Sequence, residues 1–462
     1  MFRLSSRLAL TALLGVMANH VAHAQPPEAD EAPPAARAPD AALAAGPERP
    51  PPQFAVWTGY ADSDNVTRTT DPHEGSFNSI GVFLTAAHDS ARLTGSISSN
   101  VEHRSYSLAG VEDETVGQLA GIADFNLVGD VLHWGFRENY GQGRTDAYAA
   151  IGPGNRETIN VLSTGPGLDL PLGQRTILTM NGDYAARRYQ YSKSVDSDSA
   201  VYDLGLSRQL SQTAQIGIVA TTNDIDYVDT NIAPYTIDTA HLSYTKTLAT
   251  GQALVEWGTN EVSSEGFATD EPFFNVEWFR DLTARSKLSV GAKRHFTDSG
   301  GLAGPNGSDA PPPAASDVLL STAPLEQKNL HVSYLLAAPR TNGSFRVTAT
   351  EDRYFGNSTL DNDALTTSLA ITHSVSMLLK LGLALDNVMR EYTDTVVALE
   401  DTKDRVISAW VDRVLGRRFS VSFVLSRYER EATDRFDENR YEVRFSYSPT
   451  GSSSAALPFA GR

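Results

Sequence analysis

The chain has 462 residues, 41% of them hydrophobic and 20% charged, with 38 basic side chains against 56 acidic ones and no cysteine. Without cysteine there are no disulfides, thiolate-ligated zinc sites, iron–sulfur clusters, thiol nucleophiles or lipoprotein acylation. The acid excess also argues against nucleic acid as a partner, because neutralising phosphates needs a Lys/Arg surplus.

The N-terminus reads as a processing segment. Arg3 and Arg7 precede a short apolar run from Leu8 to Met17, and Ala22-His23-Ala24 forms a small-residue cleavage pattern before Gln25. Residues 1–24 are therefore expected to be a Sec-type signal peptide cleaved after Ala24. Residues 25–53 are expected to be a Pro/Ala-rich periplasmic linker, because nine of the 23 prolines fall between Gln25 and Pro52. Such a composition favours an extended tether and is too short to supply a plug domain. Beyond the signal no apolar run is long enough for a spanning helix, so a membrane location requires a closed β-barrel.

Residues 54–448 break into short stretches of alternating polarity, each ended by Gly, Asn, Asp, Ser or Pro. That is the signal of strands and hairpins. Leu178, Met180, Gly182, Tyr184 and Ala186 share one strand face; the leucines from Leu379 to Leu385 recur at every second position. Phe419, Val421, Phe423 and Leu425 repeat the pattern, and so do Tyr441, Val443, Phe445 and Tyr447.

Connection length separates a membrane barrel from a soluble sandwich. Links after even-numbered strands are expected to be tight, as at Asp89-Ser90, Gly129-Asp130 and Thr250-Gly251. Links after odd-numbered strands are expected to be long and polar, among them Asp62–Glu74, Arg144–Arg156, Ser263–Glu271, Asp298–Glu326 and Glu431–Asn439. Short periplasmic turns and long extracellular loops give this rhythm. The expected fold is an all-β, transmembrane, antiparallel up-and-down barrel of about 20 strands (18–22) without a plug, in the outer membrane.

Trp134, Phe136, Tyr244, Trp257, Phe274 and Trp278 fall on predicted outward faces, where aromatic girdles or ordinary apolar packing would place them. The predicted lumen-facing charges are Asp183, Arg187, Asp203, Glu256, Glu277, Lys293, Arg346, Lys380, Asp386, Asp412, Glu442 and Arg444. They could tune which solutes pass or simply keep a wall wet. The Asp298–Glu326 link, with Pro305 and Pro311 to Pro313, is a candidate for an inward-folding constriction or a surface loop.

Catalysis finds no motif. There is no H-E-x-x-H, G-x-S-x-G, phosphate-binding loop or complete EF-hand loop. In Thr372-His373-Ser374, adjacent strand residues point to opposite faces, so His373 cannot activate Ser374 from the same strand. Asp196-Ser197-Asp198 and Asp361-Asn362-Asp363 offer oxygen ligands for a cation but lack the glycine turn and terminal glutamate of a calcium loop. No enzyme activity, cofactor or metal is expected.

A first strand running into Tyr60-Ala61-Asp62-Ser63-Asp64-Asn65-Val66-Thr67-Arg68, after a signal and a Pro-rich linker, resembles the outer-membrane β-barrel porins associated with bacterial exopolysaccharide systems. Asp64-Asn65-Val66 is the one local motif in this resemblance. The resemblance implies a passive conduit for a secreted polysaccharide, partnered by a periplasmic polysaccharide export protein and an inner-membrane synthesis complex as well as by outer-membrane lipid. A diffusion porin for small solutes and a non-conducting barrel adhesin or structural protein are the alternatives. The chain departs from many barrels at its end: a tail, residues 449–462, follows Tyr447 and Ser448. Either Phe445 and Tyr447 form an internal assembly signal, or the tail is a periplasmic extension.

Overall fold

The computed structural model describes residues 52–146, 149–150, 152–298, 321–356, 358–393 and 401–449. The expected signal peptide, all of the linker up to residue 51 and the tail from residue 450 lie outside the described residues.

The first strands are β1 (Gln53–Ser63), β2 (Gly75–Asp89), β3 (Leu93–Tyr106), β4 (Glu114–Val128), β5 (Leu132–Gly143), β6 (Glu157–Pro171) and β7 (Thr176–Tyr189). Next come β8 (Ser197–Ser211), β9 (Ala214–Tyr227), β10 (Tyr235–Leu248), β11 (Gly251–Ser264), β12 (Phe267–Thr283), β13 (Ser286–Thr297) and β14 (Leu325–Ala337). The last are β15 (Thr341–Tyr354), β16 (Asn362–Ser376), β17 (Leu379–Tyr392), β18 (Thr402–Val414), β19 (Phe419–Glu431) and β20 (Phe436–Tyr447).

These 20 strands form one sheet in which each pairs antiparallel with its neighbours in sequence. The sheet closes where β1 pairs with β20, from Val56 opposite Tyr447 to Ser63 opposite Arg440. Closure is what makes membrane insertion possible, because it leaves no strand edge whose N–H and C=O groups would face hydrocarbon unpaired.

Alternation then sorts the side chains. On most strands one parity carries exposed apolar residues such as Ile80, Leu204, Ile218, Leu242, Leu383 and Phe423. This is the convex outer face, and in an outer-membrane barrel it meets lipid. Trp257, 66% exposed, stands on it, as do Trp134, Phe136 and Tyr244; Phe274 and Trp278 share the parity of exposed Val276. The barrel is thus an outer-membrane protein by its closed sheet and its apolar exterior.

The opposite face curves inward and is crowded, and it is relieved by glycines. Trp57 on β1 lies flat over Gly81 of β2, where an added Cβ would fall 2.1 Å from its ring. Trp410 covers Gly382 across the β17–β18 pair in the same way, and His133 covers Gly167 across β5–β6. A ring can lie against the backbone only where the facing residue has no Cβ.

One expected loop is corrected. The Ser263–Glu271 link is a tight hairpin: β11 continues to Ser264, β12 begins at Phe267, and only Glu265 and Gly266 lie between. Gly266 has φ +99°, the left-handed conformation that such a short turn requires. The Glu431–Asn439 link shortens similarly, since β20 begins at Phe436. In both places the strand ends are mostly polar, with Phe267 and Phe436 as exceptions, so polarity reads as loop while the backbone ladder continues.

Candidate functional site

All twelve predicted charges lie on the inner strand faces, at the parity opposite the exposed apolar residues. They fall into groups. On β7, Asp183 receives Arg137 Nη1 at 3.2 Å, and on β8 Asp203 accepts a hydrogen bond from Thr221 at 2.7 Å. Glu256 accepts from Asn275 Nδ2 at 2.8 Å and lies 3.7 Å from His241 Nε2. Glu277 lies 3.4 Å from His331 Nε2. Lys293 feels both carboxylates, and Arg346 feels Glu277. Glu256 and Glu277 are therefore interleaved with imidazoles, an amide and cations.

A second group is continuous and more deeply buried. Lys380 on β17 pairs in register with Asp412 on β18, and Asp412 feels Arg444 on β20. Arg444 donates through Nε to Glu442 and reaches Glu102 of β3 at 3.2 Å. Glu102 in turn accepts from Arg104 Nε at 3.0 Å; Arg104 and Arg156 both meet Glu114 of β4. Arg444 faces Gly59 of β1, where an added Cβ would fall 3.3 Å from its side chain, and it reaches past β1 and β2 to β3. Each charge has an opposite partner, as burial demands. Asp386 lines a cavity at the β17–β20 end of this wall with Asp404, Tyr428 and Phe436.

The outer end of the barrel is narrowed by connections that fold inward. After β1, Asp64 accepts from the backbone N and Nδ2 of Asn439, both at 2.7 Å, while Asn65 donates to Thr69 O and Asp437 O. Val66 packs with Ala61 and Phe77. The Asp64-Asn65-Val66 motif is thus the hinge that turns the first loop back against β20. It delivers Arg68 to Glu438 at 2.7 Å and sets its guanidinium 3.9 Å over the Tyr428 ring. Arg68 has φ 55°, the single left-handed non-glycine residue among the described residues. Burial would lower its pKa, but Glu438 beside it outweighs burial and holds it above the ordinary value.

The connection after β5 also crosses inward. Arg144, 1% exposed, reaches Asp404 on β18 at 3.6 Å; Asp404 also takes Arg430 at 2.9 Å. Farther along, Ala150 donates its N–H to Asp434 and packs with Tyr428 and Phe436. At the longest connection, residues 299–320 lie outside the described residues, so Pro305 and Pro311 to Pro313 do too. Its two ends both turn inward. Asp298 meets Arg187 of β7 at 3.1 Å, and Thr322 O accepts from Tyr227 of β9 at 2.8 Å. Beneath them Ile225, Tyr235, Ile237, Val262 and Phe296 form an apolar cluster.

Two acidic segments suspected of cation binding have a structural task instead. Asp196 accepts from the backbone N–H of Tyr189, and Asp361 from that of Tyr354, each at 2.7 Å across seven residues. In the same hairpins Arg188 bonds Asp198 and Arg353 bonds Asp363. The two loops share an Arg-Tyr strand end and an Asp-x-Asp return, a repeat hidden from the sequence reading by its low complexity. Among the described residues no group of His, Asp or Glu could hold a metal ion. His373 contacts Thr341 Oγ1 on the next strand at 2.9 Å.

No family model and no curated protein matches the chain. Among solved structures it is similar to the siderophore receptor PirA from Pseudomonas aeruginosa, at 9% identity and TM-score 0.42, over 87% of this chain and 81% of that chain. It is similar to the ferric citrate transporter FecA, at 8% identity and TM-score 0.41, over 87% and 79%. The ferric yersiniabactin uptake receptor FyuA from Yersinia pestis matches at 11% identity and TM-score 0.37, over 87% and 81%.

The expectation of polysaccharide export is corrected here. Ion pairs between strands that are not neighbours in the sheet cross the mouth that a wide passive conduit would leave open. The export protein and synthesis complex expected as partners lose their support with it. The open diffusion porin is set aside with it, because Arg144 and Asp298 make ion pairs across the lumen.

Proposed function

We propose that the chain is a gated transport barrel of the outer membrane, admitting a charge-bearing solute past a mouth latched by inward-folded loops. The carrying observation is the pair of buried ion contacts between elements that are not neighbours in the sheet, Arg144 with Asp404 and Arg187 with Asp298. A solute bearing its own charge can compete for such partners, whereas a neutral one of the same size cannot. Below the latches the solute path runs along the inner wall with Asp183, Asp203, Glu256, Glu277, Asp386 and Asp412, partnered by Lys293, Arg346 and Lys380. Charge of this kind sets selectivity in a hydrated pore.

The test is the full chain reconstituted in planar bilayers. The wild type is expected to conduct little at rest, and D404N or D298N to conduct more. Equal conductance in all three removes the gate. Ferric-chelate complexes, the class named for the compared barrels, are the first solutes to titrate, with metal-free chelators as controls.

A further inference from the structure

We infer that the outer rim of β18–β20 is a binding surface for the phosphorylated headgroup of an outer-leaflet glycolipid. The inference rests on the barrel's place in the membrane and not on the gating reading. Register arranges the lipid-facing side chains of these three strands in rows. The row Ala409–Leu425–Tyr441 is apolar. One pair farther from the β18–β19 turn lies Ile407–Arg427–Asn439, and one pair beyond that lies Arg405–Glu429–Asp437. The change from apolar to charged is abrupt, and it occurs on the face that continues the exposed side chains of Phe423, Leu425 and Phe445. A surface that meets hydrocarbon below meets headgroups directly above.

The chemistry of the rim fits a phosphate. Arg427 is 48% exposed at its side chain and Arg405 is 38% exposed; both share Glu429, at 2.6 Å and 3.3 Å respectively. Glu429 thus holds two partly exposed guanidinium groups at one site, with the Asp437 carboxylate 4.0 Å from Arg427 Nη2. Planar guanidinium forks recognise phosphate oxygens bidentately. The rim repeats elsewhere: Arg294, Lys328, Glu351 and Asp363 lie in one register row above Ala292, Leu330, Ala349 and Leu365. There Arg294 is 19% exposed and lies between Glu271 and Glu326, so the half-exposed Arg427 of β18–β20 is the more accessible guanidinium.

The experiment measures binding of diphosphoryl lipid A, and of the same lipid stripped of phosphate, to the purified full chain in detergent micelles. The wild type is expected to prefer the phosphorylated form, and R405Q/R427Q to bind it about 30-fold more weakly, given about fivefold per cation near a charged lipid surface. R413Q, at the periplasmic end of β18, is the control and is expected to bind like wild type. Equal wild-type binding of both lipids overturns the inference, as does undiminished binding by the double variant. Competition by inorganic phosphate at matched concentration would assign the site to a free anion and overturn the lipid source. The wild-type comparison of the two lipids stands even if the double variant fails to fold.

Discussion

Arg187, near the outer end of β7, lies 3.1 Å from the carboxylate of Asp298, which leaves the end of β13. These strands are not neighbours in the sheet, so the contact crosses the inside of the barrel and ties the start of the longest connection to the far wall. Both side chains are more than nine-tenths buried. Neutralising one member of such a pair leaves the other charge buried alone, at a cost of about 3–5 kcal/mol. D298N is expected to release the loop end and raise resting conductance in bilayers while leaving the sheet intact. An unchanged conductance would mean that the contact anchors a loop without closing anything.

The ring of Trp57 occupies the space that a side chain at position 81 would need. Gly81→Ala must push the indole off its seat, and overpacking of this sort costs about 1–3 kcal/mol. The same substitution in a Trp57→Ala background is expected to cost much less, because the clash has gone. Urea unfolding of both series from lipid bilayers gives the coupling directly; strict additivity of the two changes would contradict the packing described here.

Glu102 accepts from Arg104 and meets Arg444, joining β3 to β20 across the closing seam. Glu102→Ala leaves two guanidinium groups facing each other in a crowded wall. The expected loss is about 3–5 kcal/mol, read as lower refolding yield and loss of the heat-modifiable gel shift typical of a closed barrel. If the variant refolds with wild-type yield, the network does not secure the seam.

Asp361 accepts the backbone N–H of Tyr354, so Asp361→Ala orphans a buried donor at the tip of the β15–β16 hairpin. A lost hydrogen bond of this kind costs about 1–3 kcal/mol. Hydrogen exchange at Tyr354 should accelerate about 10-fold or more, since 1.4 kcal/mol is a factor of ten, with β5 and β6 unaffected. Asp196→Ala should do the same at Tyr189. Unchanged exchange at both amides would show that the repeated loop motif is incidental.

Much of the architecture was legible beforehand because a barrel strand obeys a local rule. A two-residue period decides which side chain meets lipid, and that period can be read at Leu379–Leu385 or Tyr441–Tyr447 without knowing any partner strand. The turn residues were legible for the same reason. The Ser263–Glu271 link misled because most of its residues are polar or glycine, and only pairing with the returning strand shows that they belong to the ladder. The role in export was misread too: a resemblance carried by Asp64-Asn65-Val66 says nothing of where that loop goes, and here it turns Arg68 inward onto Glu438.

By itself, then, the sequence determined the strands, their faces and the all-β class, since these follow from alternation and from the physical impossibility of unpaired backbone in lipid. It also determined that Asp183, Glu256 or Arg444 would share a parity with other polar residues. Only the tertiary structure decided which charges meet. Arg144 and Asp404, Arg187 and Asp298, Glu102 and Arg444 are far apart in the chain, and their distances depend on sheet closure and on register. Coulomb attraction falls with separation in space, and separation in space is what a linear chain does not contain.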